Sequence, residues 1–195
     1  MRNILKRVIF FLICTANLVP FFTYRLLSII FNRDSLFASF SQLYSLLPGK
    51  IGEYFRGSFY FLTLKKCSKD VTITFGTFFP TPNIEIGSFV YIGANSIISH
   101  SHIEDDVMLG SNVHVISGKM THNFADVETP IRLQGGQATK IHIGRNTWVG
   151  NSAIIMANIG TGCVIGAGSV VTKDIGDYCV AVGNPARIIK KRIAS

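Results

Sequence analysis

Of the five histidines, His122 stands apart: it follows Thr121 inside residues 118–140, a stretch free of the repeat that runs before and after it. Imidazole titrates near neutrality, so a histidine on a projecting loop suits removal of a proton from a weak nucleophile such as a hydroxyl. The alternative is a solvated loop histidine with no task. His100 and His102 form an H-x-H pair, and His114 and His142 fall on candidate strands. A catalytic metal would need three inward nitrogen ligands, and no metal ligand set is assigned to these four. Cys14, Cys67, Cys163 and Cys179 show neither CxxC nor metal spacing. They read as reduced and mostly buried thiols.

The element that must position these side chains is a repeat of six. From residue 86 an aliphatic residue followed by a small or acidic one returns in Ile86-Gly-Ser-Phe-Val-Tyr, Ile92-Gly-Ala-Asn-Ser-Ile, Ile103-Glu-Asp-Asp-Val-Met and Leu109-Gly-Ser-Asn-Val-His. It resumes after the gap with Ile143-Gly-Arg-Asn-Thr-Trp, Val149-Gly-Asn-Ser-Ala-Ile, Ile159-Gly-Thr-Gly-Cys-Val, Ile165-Gly-Ala-Gly-Ser-Val and Ile175-Gly-Asp-Tyr-Cys-Val. Shorter units start at Ile98 and Ile155. A period of six is neither helical nor a plain alternation. It means a short strand and a turn, repeated, with the aliphatic residue facing a shared core. Val90, Ser96, Val107, Val113, Thr147, Ala153, Cys163, Ser169 and Cys179, four residues further on, are small or β-branched, as a narrow core needs. One unit cannot bury its own face, so the units must stack.

Composition divides the chain. Residues 1–70 hold 10 Lys/Arg against 3 Asp/Glu, and residues 71–195 hold 9 against 8, so the +8 belongs to the first part. That part also has 11 of 13 leucines and 10 of 15 phenylalanines, whereas 15 of 18 glycines follow it. The expected organisation is a helical region, 1–69, and a repeat domain, 70–195. With 48% hydrophobic residues the chain is no disordered polymer. Its basic residues are diluted among apolar runs, which argues against a nucleic-acid partner. Val8–Phe31 is apolar but carries Asn17, Pro20 and Arg25. Its clean part, Val8–Val19, would make a helix of about 18 Å, too short for a bilayer core of about 30 Å. Arg25, Ser28 and Asn32 share one face, which suits a helix lying in an interface. A signal peptide is the rival, but no small-x-small site follows. A second helix is expected after a cap at Asp34 or Ser35, with Leu36, Phe37, Phe40, Leu43, Tyr44 and Leu47 on one face. Pro48-Gly49 stops it, and a third is expected from about Ile51 to Leu64. The alternative to the membrane surface is that these faces pack on a partner subunit or on the repeat domain.

Trp148-Val149-Gly150, Ile165-Gly-Ala-Gly-Ser-Val-Val-Thr-Lys-Asp174 and Gly183-Asn-Pro-Ala-Arg187, with the repeat, carry a family resemblance over residues 70–195. The chain resembles the hexapeptide-repeat acyltransferases, within them the galactoside and maltose O-acetyltransferases and their relatives in bacterial polysaccharide clusters. The resemblance implies a mainly β fold: a left-handed parallel β-helix preceded here by an α-helical N-terminal region, working as a homotrimer with sites between subunits. It implies acetyl-CoA as co-substrate and a sugar hydroxyl of a surface polysaccharide or lipid-linked oligosaccharide as acceptor. His122 would be the general base, on a catalytic loop 118–140, and the Asn151 amide the donor to the oxyanion. Gly150, Asn151, Ala167, Thr172, Lys173, Arg187 and Lys190 match cofactor contacts; Asn95 and Trp148 are the acceptor-side candidates.

The chain also departs from the pattern. The stretch Gly135-Gly-Gln-Ala-Thr-Lys140 replaces the family's Glu before Gly-Lys-Pro, leaving Glu128 or Asp126 to orient the imidazole. N-acetylation of an amino sugar, a γ-carbonic-anhydrase-like metalloenzyme (whose His-x4-His spacing is absent) and a non-catalytic subunit are the other readings. Acetyl-CoA is cytoplasmic, which places the repeat domain at the cytoplasmic face of the inner membrane or in the cytoplasm. Residues 1–47 would provide a peripheral membrane contact.

Overall fold

The computed structural model describes residues 2–192, with side chains from Val8 to Arg192. Four helices come first: α1 (Arg2–Ala16), α2 (Leu18–Leu27), α3 (Arg33–Ser45) and α4 (Gly49–Thr63). The strands are β1 (Lys66–Cys67), β2 (Thr72–Ile73), β3 (Glu85–Ile86), β4 (Tyr91–Ile92), β5 (Ile97–Ile98), β6 (Ser101–Ile103), β7 (Met108–Leu109) and β8 (His114–Val115). After a long loop come β9 (Ile141–Ile143), β10 (Trp148–Val149), β11 (Ile154–Ile155), β12 (Val164–Ile165), β13 (Val170–Val171), β14 (Cys179–Val182) and β15 (Arg187–Lys191).

Pro20 does not break the first helical stretch. It falls in the first turn of α2, where a missing N–H costs little. Asn17 stays helical between α1 and α2: its N–H donates to Ile13 O at 2.9 Å and its carbonyl accepts from Phe21 N at 3.0 Å. Val8–Leu27 is therefore helical throughout and, by length and composition alone, long and apolar enough to cross a membrane. The shorter estimate from Val8–Val19 is corrected on this point. Nor is Asn17 a stray polar group. It is buried, its Nδ2 donates to Phe55 O (3.0 Å) and Ser58 Oγ (2.6 Å), and its Oδ1 accepts from the Tyr44 hydroxyl.

The cap of α3 is Asn32, not Asp34 or Ser35: its Oδ1 accepts from Asp34 N and Ser35 N at 3.1 and 3.0 Å. Aromatic faces join α3 to α4, with Tyr44 and Phe59 stacked at 4.2 Å. They then join α4 to the sheets, with Tyr60 on Phe79 at 4.3 Å. Buried Arg56 sews the same seam. Its Nε donates to Ile73 O (2.9 Å), and its Nη1 to Leu47 O (2.6 Å) and Tyr44 O (3.3 Å) at the C-terminus of α3, where carbonyls attract a cation. Strand pairing starts at Lys66, slightly before residue 70.

The strands form three sheets, ordered β1-β3-β6-β9, β2-β4-β7-β10-β12-β14-β15 and β5-β8-β11-β13. All pairs are parallel except β14–β15. The chain visits first, second and third sheet in rotation, and lone bridges such as Ile143↔Ile159 and Ile159↔Ile175 mark turns of this path that lack a full strand. Each period of six is thus a two-residue strand plus a corner. Ile86, Ile92, Ile103, Leu109, Ile143, Val149, Ile159 and Ile165 are all buried, and so are the nine small residues four places on. Burying a Val, Leu or Ile side chain contributes about 1.5–3 kcal/mol, which stacking supplies and a single coil could not.

Candidate functional site

Residues 118–140 leave the third sheet after Val115 and rejoin the first at Ile141, so the loop replaces one corner of one coil. Its stems are tied together. Thr139 N donates to Ser117 O (2.8 Å), Gln137 N to Met120 O (2.6 Å) and Asn123 N to Gly135 O (2.9 Å). Gly136 is required at this crossing, since a Cβ there would lie 2.0 Å from Thr121 O and 2.8 Å from His122 N. At the tip Asp126 organises a turn. Its Oδ1 accepts from Glu128 N (2.9 Å) and Thr129 N (3.3 Å), and its Oδ2 from Thr129 Oγ1 (2.5 Å). These bonds, the Thr129 hydroxyl first, hold the Asp126 carboxyl below its usual range. Lys140 closes the loop on Glu85 Oε1 at 2.6 Å, shared with Lys65 at 2.7 Å. Hydrogen bonds from Lys140 and Lys65 bring the Glu85 carboxyl down to about 2.

His122 is exposed on the first stem. Neither Asp126 nor Glu128 bonds to its ring; Asp126 is occupied by the turn, so it does not fill the orienting role expected of it. Met120, Phe124, Val127, Ile131 and Leu133 make the loop unusually apolar for an exposed segment.

Asn151 and Ala167 lie one above the other at the corner between the second and third sheets, and Gly150 packs beneath Ala167: a Cβ on Gly150 would meet Ala167 N at 2.5 Å. Asn151 Oδ1 accepts from Ser111 N at 3.0 Å, while its own N–H has no protein acceptor among the described residues. Asn95, at φ +59°, occupies the same corner nearer the start of the stack, against Gly76. Trp148 stands outward on β10, 55% exposed, beside Met108 and Val164.

Thr172 and Lys173 belong to the next corner, from the third sheet to the first. Lys173 lines a groove of about 430 Å³ with Met120 and Lys140 of the loop stems and with Met156 and Asn158. Arg187 and Lys190 are exposed on β15, where Arg187 Nη1 donates to Ala186 O at 3.0 Å. Most of the expected residues gather in two groups, with Trp148 on β10 and Arg187 and Lys190 on β15 outside both. Gly150, Asn151 and Ala167, with Asn95 further along, share one corner, and the loop stems with Lys173 share the other; the third sheet separates them. Sequence reasoning missed Gly136, the Lys140–Glu85 anchor and the groove residue Met156. Only the Gly135-Gly136 pair carried a signal, two adjacent glycines inside an irregular stretch.

A larger cavity, about 510 Å³, lies between α1, α4 and the first coils and contains none of the expected site residues. On the first sheet His142 Nε2 meets Glu104 Oε1 at 3.0 Å and His102 lies edge-on to His142. Among the described residues no three His, Cys, Asp or Glu side chains stand together as a metal-binding group. The cysteines are free thiols, and burial pushes the Cys67 thiol up to about 12.

Residues 140–173 match the model for the hexapeptide repeat of succinyl-transferases. A probable acetyltransferase of Mycobacterium tuberculosis is 31% identical over 115 residues, which are 56% of this chain and 38% of that protein. The chain thus spans well under two thirds of the first curated relatives it matches. Among solved structures, a maltose O-acetyltransferase from Clostridium difficile 630 superposes with a TM-score of 0.72 at 26% identity, covering 83% of this chain and 88% of that one. A galactoside acetyltransferase in complex with coenzyme A gives 0.68 at 25%, covering 81% and 80%. The chain carries the hexapeptide repeat, and these relatives and structural neighbours are acetyltransferases.

Proposed function

We propose that the protein transfers an acetyl group from acetyl-CoA to a hydroxyl of a sugar, within a surface polysaccharide or a lipid-linked oligosaccharide. The observation that carries this is the loop: one corner of a regular stack is replaced by a braced projection bearing Thr121-His122, beside the groove that Lys173 lines. In this reading the coils wind left-handed, as in the family the chain resembles, and residues 70–195 form the catalytic domain. His122 removes the proton as the acceptor oxygen attacks the thioester carbonyl. The Asn151 N–H donates to the oxyanion, and collapse of the intermediate expels the coenzyme A thiolate, which takes the proton from the imidazolium. Gly150 and Ala167 let the pantetheine arm lie close, and Lys173, Arg187 and Lys190 face its phosphates.

In one chain His122 and the Asn151 amide stand at different corners. A homotrimer would place the loop of one subunit over the Asn151 corner of the next and cover its exposed Met120, Phe124, Val127, Ile131 and Leu133. The helical region supports a peripheral membrane position at the cytoplasmic face. Phe11, Leu12, Val19, Phe22, Leu26, Ile29 and Ile30 are exposed in the part of the chain that holds the positive excess. Crossing the bilayer would require Asn17 to leave Tyr44, Phe55 and Ser58.

The test is coenzyme A release with acetyl-CoA and the cell's own glycan, together with structural analysis of that glycan. His122→Ala should lower turnover by about 100-fold or more and delete one acetyl group; unaltered transfer refutes the mechanism. For the membrane, Phe11, Leu12, Val19 and Phe22 exchanged for Ser should release the protein from anionic vesicles. Full retention refutes that reading. This is preferable to deleting residues 1–47, which would strip α3 from Phe59.

A further inference from the structure

Three corners of the stack share a capping device. The amide after a turn glycine donates to a side-chain oxygen of the next coil: Ser88 N to Asp105 Oδ1 (2.6 Å), Ser111 N to Asn151 Oδ1 (3.0 Å) and Thr161 N to Asp177 Oδ1 (2.8 Å). The glycine leaves room for it. A Cβ built on Gly87, Gly110 or Gly160 would lie 2.3, 2.3 or 2.2 Å from the capping oxygen. Length matters as well, since Ser111, one atom shorter than Asn, accepts nothing from the Ala94 amide among the described residues.

Gly150-Asn151 repeats the arrangement with one change. The residue stacked on it is Ala167, whose methyl has no acceptor. The Asn151 side chain is engaged in the opposite direction, capping Ser111. We propose that Ala167 is a positioning residue: by supplying no cap it keeps the Asn151 N–H open for a ligand oxygen, the oxyanion formed during acyl transfer. This rests on the role given above to the Asn151 amide. It adds that an alanine, conspicuous only for what it lacks, sets whether that amide is available.

Ala167→Asn recreates the cap that Asn151 gives Ser111, and Ala167→Asp serves if the first variant does not fold. Amide hydrogen exchange of Asn151, followed by NMR in the full-length protein, should slow several-fold, as expected for a new hydrogen bond. At saturating acetyl-CoA, kcat should fall by about 100-fold, the cost of losing one oxyanion donor. Ala167→Ser should leave that exchange rate unchanged. Asp105→Asn, which places the same side chain under the Ser88 amide at another corner, should leave kcat unchanged and exclude a general effect of a corner asparagine. Unslowed exchange in both Ala167→Asn and Ala167→Asp overturns the capping account, whatever turnover does. Slowed exchange with unaltered kcat overturns the link to catalysis and, separately, the oxyanion role of the Asn151 amide. A rise in KM for acetyl-CoA alone would make Ala167 a cofactor contact and nothing more, which also overturns the proposal.

Discussion

Asn17→Leu is the most informative change in the helical region. It removes two hydrogen bonds donated by Nδ2, to Phe55 O and Ser58 Oγ, and the one Oδ1 accepts from Tyr44. Each is worth about 0.5–1.5 kcal/mol net, and the buried Tyr44 hydroxyl, left without its partner, costs about 1–3 kcal/mol. The added apolar burial offsets part of this, so a net loss of about 2–4 kcal/mol is expected. For a chain of this size that is a Tm lower by about 5–15 °C, read by thermal unfolding in mild detergent with tyrosine emission as the probe. Tyr44→Phe should lose less, and the double variant should show coupling of about 0.5–3 kcal/mol. Burial raises the Tyr44 phenol from 10.0 to about 12. A raised folded pKa means the stabilisation is intact below pH 10 and disappears as pH climbs to about 12. Because burial and not Asn17 is the cause, the Asn17 variant should keep that alkaline dependence and Tyr44→Phe should lose it. A helix spanning lipid would instead gain from Leu at this place. An Asn17→Leu protein as stable as the wild type, or more stable, would refute the docked arrangement.

Gly136→Ala drives a Cβ to 2.0 Å from Thr121 O; displacing the His122 stem should lower kcat by about 10- to 100-fold with circular dichroism unchanged, measured by coenzyme A release. Glu85→Gln frees the end of the loop at Lys140; because the folded carboxyl sits at about 2, its contribution is present above pH 4.5 and fades as pH falls toward 2, and solvent screening limits it to about 1 kcal/mol. Acid titrations of wild type and variant should converge at the low end. Gly52→Ala places a Cβ 2.0 Å from Leu47 O where α4 starts under the end of α3, and denaturant unfolding should show about 1–3 kcal/mol lost.

The stack was legible because its constraint is local and repeated. Every aliphatic position from Ile86 to Ile175 must enter one narrow core, so the period alone announces strand, corner and stacking. The helices were legible as elements but not in their ends or their docking. Asp34 and Ser35 are good caps on paper, but the cap is Asn32 because its backbone leaves the helix there, at φ −57° and ψ 122°. Asn17 looked like an interruption because its partners lie 27 to 41 residues away in sequence. Arg56 likewise looked like one more basic residue, yet it is buried against the carbonyls of Tyr44 in α3, Leu47 just beyond it and Ile73 in β2.

The site divides along the same line. Gly150, Asn151 and Ala167 share one corner because they sit at fixed steps of the repeat. No spacing could say what the loop does, since its 23 residues obey no period and its geometry comes from stem bonds such as Gln137 N to Met120 O. Asp126 shows the consequence. A carboxylate four residues after His122 is a natural partner for an imidazole, but the Thr129 hydroxyl and two amides claim its oxygens first. If His122 needs an orienting carboxylate, within this chain that leaves Glu128, which bonds to nothing through its side chain among the described residues. Glu128→Gln should then flatten the pH dependence of kcat more than it changes KM for acetyl-CoA. An unchanged pH profile would assign the orientation of His122 to another subunit or to the acceptor itself.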